Sequence, residues 1–70
     1  MRLSMEIICN GKEMTVREGI TLEELIVELQ LNPETVVAEC DNRIFLREEY
    51  AQKTLSEGTV LELIRFVGGG

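Results

Sequence analysis

Seventy residues carry seven lysines and arginines against thirteen aspartates and glutamates, a net charge of −6, with two cysteines and no histidine. A chain this short buries only about 60% of the surface its unfolded form exposes, so it makes one small domain with no large enclosed pocket. The acidic balance without a basic stripe disfavours a nucleic-acid backbone as partner, the missing histidines and few thiols argue against a zinc site and exclude a four-thiolate iron–sulfur centre, and no apolar run is long enough to span a membrane or resembles a secretory signal.

Residues 1–4 read as a short leader. Residues 5–9 and 12–16 then flank Asn10-Gly11, the strongest short hairpin signal. A two-residue turn there sets Ile7 opposite Met14 and Met5 opposite Val16, with Cys9 on the same apolar face. Glu6, Ile8, Glu13 and Thr15 fall on the other.

Gly19-Ile20-Thr21 opens a helix, because Thr21 with Glu24 three residues on makes a capping box. Ile20 before the cap and Leu25 within the helix are placed to pack as a hydrophobic staple. Leu22, Leu25, Ile26 and Leu29 recur at helical spacing, with Glu23, Glu24 and Glu28 toward water, and Asn32-Pro33 is expected to end the helix. In so small a domain the leucine stripe is a core face, since a sheet needs a cover.

Residues 35–40, a turn at Asp41-Asn42 and residues 43–46 read as a second hairpin, on a weaker turn dipeptide than the first. The polar stretch 47–58 is expected to lay Tyr50, Ala51 and Leu55 against the core. After a turn over 56–59 comes a last strand, 60–66. Its apolar residues at Val60, Leu61, Leu63 and Ile64 occupy both faces and predict a buried strand at the centre of the sheet.

The expected order, two strands, a helix and three strands, makes an α+β domain with one helix on one face of a mixed sheet. If the first and last strands are neighbours, they run parallel at its centre. Cys9 and Cys40 lie inside strands, where free cysteine acts as a small buried hydrophobe. Neither has a cationic cluster in sequence to make it a reactive thiolate, and this usage fits a reducing cytoplasm.

The usual catalytic constellations are absent. There is no histidine for a general base, no glycine-rich nucleotide loop after a strand and no Cys-x-x-Cys. Thirteen carboxylates on so short a chain produce chance pairs, and none has a spacing that suggests acid–base work. The chain is therefore not expected to be an enzyme. What is left is the ending Gly68-Gly69-Gly70. Glycine tracts are common linkers, but a segment without Cβ atoms also enters channels too narrow for any other residue. A carboxylate at its end is a poor electrophile until a partner activates it with ATP as an acyl-adenylate. A sulfur nucleophile would then leave a thiocarboxylate; an amine or thiol would give conjugation.

Three stretches carry a resemblance: Glu6-Ile7-Ile8-Cys9-Asn10-Gly11, Gly19-Ile20-Thr21-Leu22-Glu23-Glu24-Leu25, and Leu61-Glu62-Leu63-Ile64-Arg65-Phe66-Val67-Gly68-Gly69-Gly70. Together with Val36-Val37-Ala38-Glu39 and Arg47-Glu48-Glu49-Tyr50-Ala51 they resemble the ThiS family, the sulfur carriers of thiamine biosynthesis. The resemblance runs from Met5 to Gly70 and is most specific at Arg65-Phe66-Val67 and the glycines. Asp41-Asn42 and Gly58-Thr59 depart from the family's usual Asn-Gly and Gly-Asp, both in turns.

The resemblance implies a β-grasp, ubiquitin-like fold over 1–66 and a flexible tail over 67–70. It implies that the Gly70 carboxylate is adenylated by a ThiF-type enzyme, with ATP used by that partner and no cofactor or metal bound by this chain. Sulfur relayed from a cysteine desulfurase would make the thiocarboxylate, and a ThiG-type thiazole synthase would receive it. Gly70 is then the reactive residue, with Gly68 and Gly69 the thread. Phe66 and Val67 either finish the core or, with at least one of them partly exposed, dock against the adenylating partner as an apolar anchor beside the tail; the cysteine usage makes the protein a cytoplasmic one. The rival readings are a MoaD-type carrier for molybdopterin synthesis, favoured less by the short chain and its Arg-Phe-Val ending, and a ubiquitin-like modifier or interaction module.

Overall fold

The computed structural model describes residues 3–66. Five strands and one α-helix follow in the order β1 (Ser4–Cys9), β2 (Lys12–Arg17), α1 (Leu22–Glu28), β3 (Val36–Cys40), β4 (Arg43–Phe45) and β5 (Val60–Arg65), with 3₁₀ turns at Pro33–Thr35 and Arg47–Glu49. The sheet order is β2-β1-β5-β3-β4. β5 lies at the centre, parallel to β1 and antiparallel to β3. The fold is the expected β-grasp. Ser4 opens β1 and the Leu3 carbonyl accepts the Glu18 N–H at 3.1 Å, so the last two residues assigned to a leader are part of the domain.

Both hairpins turn through left-handed residues. Asn10 and Gly11 have φ of 52° and 81°, and Asp41 and Asn42 have 49° and 71°. These are the signs a type I′ turn needs to match the twist of its strands, and Asn and Asp tolerate them better than other side chains. The first register pairs Ile7 with Met14 and Met5 with Val16, as the alternation predicts. The second pairs Ala38 with Phe45. β4 stops one residue short of Leu46, whose N–H is taken by the Glu49 carboxylate at 2.7 Å.

The capping box forms on both sides, Glu24 N–H to Thr21 Oγ1 at 3.1 Å and Thr21 N–H to Glu24 Oε1 at 2.9 Å. Ile20 and Leu25 are both buried, consistent with the staple. The helix ends at Glu28, earlier than the Asn32-Pro33 stop suggested. Gln30 takes a left-handed φ of 64°. Its N–H bonds to Val27 O at 2.9 Å, and the Leu31 N–H bonds to Ile26 O at 3.1 Å. That pair of bonds is a Schellman termination. Asn32-Pro33 instead begins a 3₁₀ turn, with the Asn32 side chain accepting the Glu34 N–H.

One core lies between α1 and the sheet, built from Met5, Ile7, Leu22, Ile26, Leu61 and their neighbours. Tyr50 and Leu55 close its end, and the Tyr50 hydroxyl donates to Val36 O at 2.6 Å. Ala51 is exposed, contrary to expectation. Tyr50 takes the inward position and has a helical backbone conformation, which sends the next residue to another side. β5 is central, yet it is buried on one face only. Leu61 and Leu63 are in the core, while Val60 and Ile64 are 47% and 54% exposed. A single helix covers a single face, so the apolar residues opposite it remain open.

Candidate functional site

The expected site is the ending that β5 leads into. Of its residues, Phe66 is described, whereas Val67, Gly68, Gly69 and Gly70 lie outside the described residues. β5 alternates its backbone bonds between two neighbours. Toward β3, Asp41 N–H bonds to Val60 O at 2.8 Å and Phe66 N–H bonds to Thr35 O at 3.1 Å. Toward β1, Ile8 N–H bonds to Thr59 O at 2.9 Å and Asn10 N–H to Leu61 O at 2.8 Å. Both hairpin turns also send a side chain across. Asp41 Oδ1 accepts the Val60 N–H at 2.9 Å. Asn10 grips Leu63 from both sides of its side-chain amide, with Oδ1 accepting the Leu63 N–H at 2.8 Å and Nδ2 donating to Leu63 O at 3.3 Å.

β5 is therefore held on its β3 side up to Phe66 and on its β1 side up to Leu63. Phe66 itself is 46% exposed. With Arg65, Thr35, Asn32, Leu31 and Gln30 it lines a groove of about 410 Å³ where the end of α1 meets the end of β5. Thr35 is braced in turn, since its N–H and its hydroxyl both bond to Asn32 O.

Next to this exit lies the sheet face opposite the helix. Ile8, Val60, Ile64 and Ile44 are exposed. The pairings Ile8 with Val60, Val37 with Ile64, and Glu39 with both Glu62 and Ile44 place them on one surface with carboxylates among them. Sequence reasoning assigned the apolar residues of β5 to burial and so missed this face. The signal was available: one predicted helix cannot cover two sides of a sheet.

The thiols take no part. Burial pushes Cys9 up from its ordinary pKa, and the Glu62 carboxylate adds to the rise. Burial also raises Cys40, with Asp41 adding to it and Lys53 opposing. Both are neutral thiols in the core near pH 7. Each sits beside Leu61 from opposite sides, Cys9 on β1 and Cys40 on β3. Two strand spacings, roughly 10 Å, separate them, which is beyond disulfide reach. Among the described residues no group of three or more Cys, Asp or Glu side chains is arranged to hold a metal, and no helix is long and apolar enough to cross a membrane. What the described residues offer is an exposed apolar face beside a strand end bonded to Thr35.

A family model described as the ThiS family matches residues 4–70. The chain belongs to the ThiS family. The sulfur carrier protein ThiS of Bacillus subtilis is 32% identical over 62 residues, covering 87% of this chain and 94% of that protein. The crystal structure of a thiamine biosynthesis protein, ThiS, from Geobacter metallireducens superposes with a TM-score of 0.81 at 32% identity, covering 94% of this chain and all of the other. A thiazole synthase of Paramagnetospirillum magneticum is 33% identical over 66 residues, and one of Magnetococcus marinus is 35% identical over 66. The chain spans only 20% of the length of those two enzymes. Membership of the ThiS family goes with a small carrier rather than a catalyst, and the β-grasp found here is the fold of its solved relative.

Proposed function

We propose that the chain is a sulfur carrier of thiamine biosynthesis whose Gly70 carboxylate is the group that carries the sulfur. The family match over residues 4–70, which takes in the glycine ending, is the observation that carries this reading. A ThiF-type partner joins the carboxylate to AMP from ATP and releases pyrophosphate. A persulfide, supplied by a relay from a cysteine desulfurase, displaces the AMP and leaves an acyl disulfide on Gly70; a thiol of the relay then attacks the outer sulfur, forming a disulfide with it and releasing the thiocarboxylate. A ThiG-type thiazole synthase takes that sulfur. The likeness to two thiazole synthases supports this receiver over a molybdopterin-forming one. The work is done in the cytoplasm, and ATP is the partner's substrate rather than a ligand of this chain.

In this reading the domain provides recognition and the thread provides delivery. Phe66 is half exposed at the point where the held strand ends, so it is the first apolar contact a partner meets on the way to the carboxylate. Apolar anchors of this kind dominate interface energies. Phe66→Ala is expected to raise the concentration of chain needed for ATP–pyrophosphate exchange by a ThiF-type enzyme about tenfold or more, with little change in the thermal midpoint. Equal loss of folding and exchange would remove Phe66 from the partner surface. Deletion of Gly70 should abolish exchange, and exchange that survives the deletion would overturn the proposed reactive group.

A further inference from the structure

β5 changes character along its length. β3 accompanies it to the end, with Val36 beside Arg65. β1 does not: its pairing with β5 covers Val60 and Leu61, and the chain then turns away at Asn10-Gly11. The Asn10 side chain supplies one more rung by binding the N–H and carbonyl of Leu63. The next residue whose backbone faces that side is Arg65, because Thr59, Leu61 and Leu63 face β1 while Val60 and Phe66 bond toward β3. The Arg65 N–H and C=O have no partner among the described residues. The central strand of the sheet thus ends as an edge strand, and an open edge is a template for a further strand.

We infer that the β1-facing side of Arg65 is a strand-addition edge, at which an extended backbone segment of the enzyme that activates the Gly70 carboxylate pairs with β5. The inference rests on the carrier reading. Its occupant follows from continuity. Three glycines give an enzyme no side chains to hold, so the ending must be read through its backbone, and backbone pairing is how extended peptides are recognised at sheet edges. A segment that reads the backbone of the ending can continue onto the β1-facing side of Arg65, whose N–H and C=O no described residue occupies. Ile64 and Phe66 flank Arg65 with exposed apolar surface. A second copy of this chain is a poorer occupant, since two-fold pairing about Arg65 sets two guanidinium groups side by side.

The test replaces single backbone N–H groups without altering side chains. A synthetic 40–70 fragment ligated at Cys40 allows an ester in place of the amide at Arg65, or at Phe66. Affinity is measured against a ThiF-type enzyme by calorimetric titration, and stability by thermal unfolding. The Arg65 ester should weaken binding about threefold to tenfold, the effect of one net hydrogen bond. It should lower the unfolding midpoint less than the Phe66 ester, which loses the bond to Thr35. An Arg65 ester that binds as well as the all-amide chain overturns the inference. So does sedimentation showing that the all-amide chain forms a dimer that the Arg65 ester loses, since the edge would then belong to a second copy. An all-amide chain that does not bind an enzyme active on another carrier overturns the carrier reading, and this inference with it.

Discussion

Asn10 does two jobs that glycine could only half do. It accepts the left-handed φ that the turn requires, and its side chain binds Leu63 across the sheet. Asn10→Gly keeps the turn and removes the clamp, so it should destabilise the domain by about 1–2 kcal/mol; urea unfolding with an unchanged midpoint would show the clamp to be idle. The turn itself was legible, because Asn-Gly between two alternating runs has few other solutions. The clamp was not, because it joins residues 53 positions apart. Asp41 repeats the lesson. In the sequence it is a weaker turn residue, and in the fold its carboxylate holds the start of β5. Glu24 adds a pH dependence. Its carboxylate accepts the Thr21 N–H and lies beside Arg17, and the first of these contacts does most to hold its pKa below the ordinary 4.5. A depressed carboxylate stabilises the fold above its unfolded pKa and loses that contribution as pH falls through the folded value. The gap in thermal midpoint between the parent chain and Glu24→Gln should therefore be full at pH 7 and narrow below pH 4.5. A gap that is constant down to pH 3 would contradict the assignment.

At the scale of elements, legibility followed locality. The first hairpin, its register and the capping box of α1 depend on residues close in sequence, and all were readable. The end of α1 was misplaced because its stop is conformational rather than compositional. Gln30 adopts the left-handed position that glycine normally fills, and nothing in a glutamine announces that. Gln30→Gly should stabilise the domain by about 0.5–1 kcal/mol, read as a higher denaturant midpoint, whereas a loss of stability would mean that the Gln30 side chain contributes packing that outweighs its backbone strain. β5 was placed correctly at the centre of the sheet and wrongly as buried on both faces. Alternation reports which residues are apolar, and it does not report what covers them. The open face beside Phe66 is what the structure adds, and counting covering elements is the signal that could have found it.

At the scale of the molecule, the parts divide the work. A sheet with one covered face leaves the other as apolar surface set among carboxylates, and the net charge of −6 favours partners with basic surroundings, whose encounter is steered by charge. β5 carries the chain from the core to Phe66 between the two turn clamps, so the point from which the glycine thread departs is set by the fold. The glycine ending is the most distinctive feature of the sequence, and the role proposed for it is the part on which the central claim must be tested. Intact-mass spectrometry of the chain before and after incubation with a ThiF-type enzyme, ATP and a sulfur source is that test. The account predicts a mass gain equal to one sulfur replacing one oxygen, absent when Gly70 is deleted. An unchanged mass, with the same enzyme active on another carrier, would contradict it.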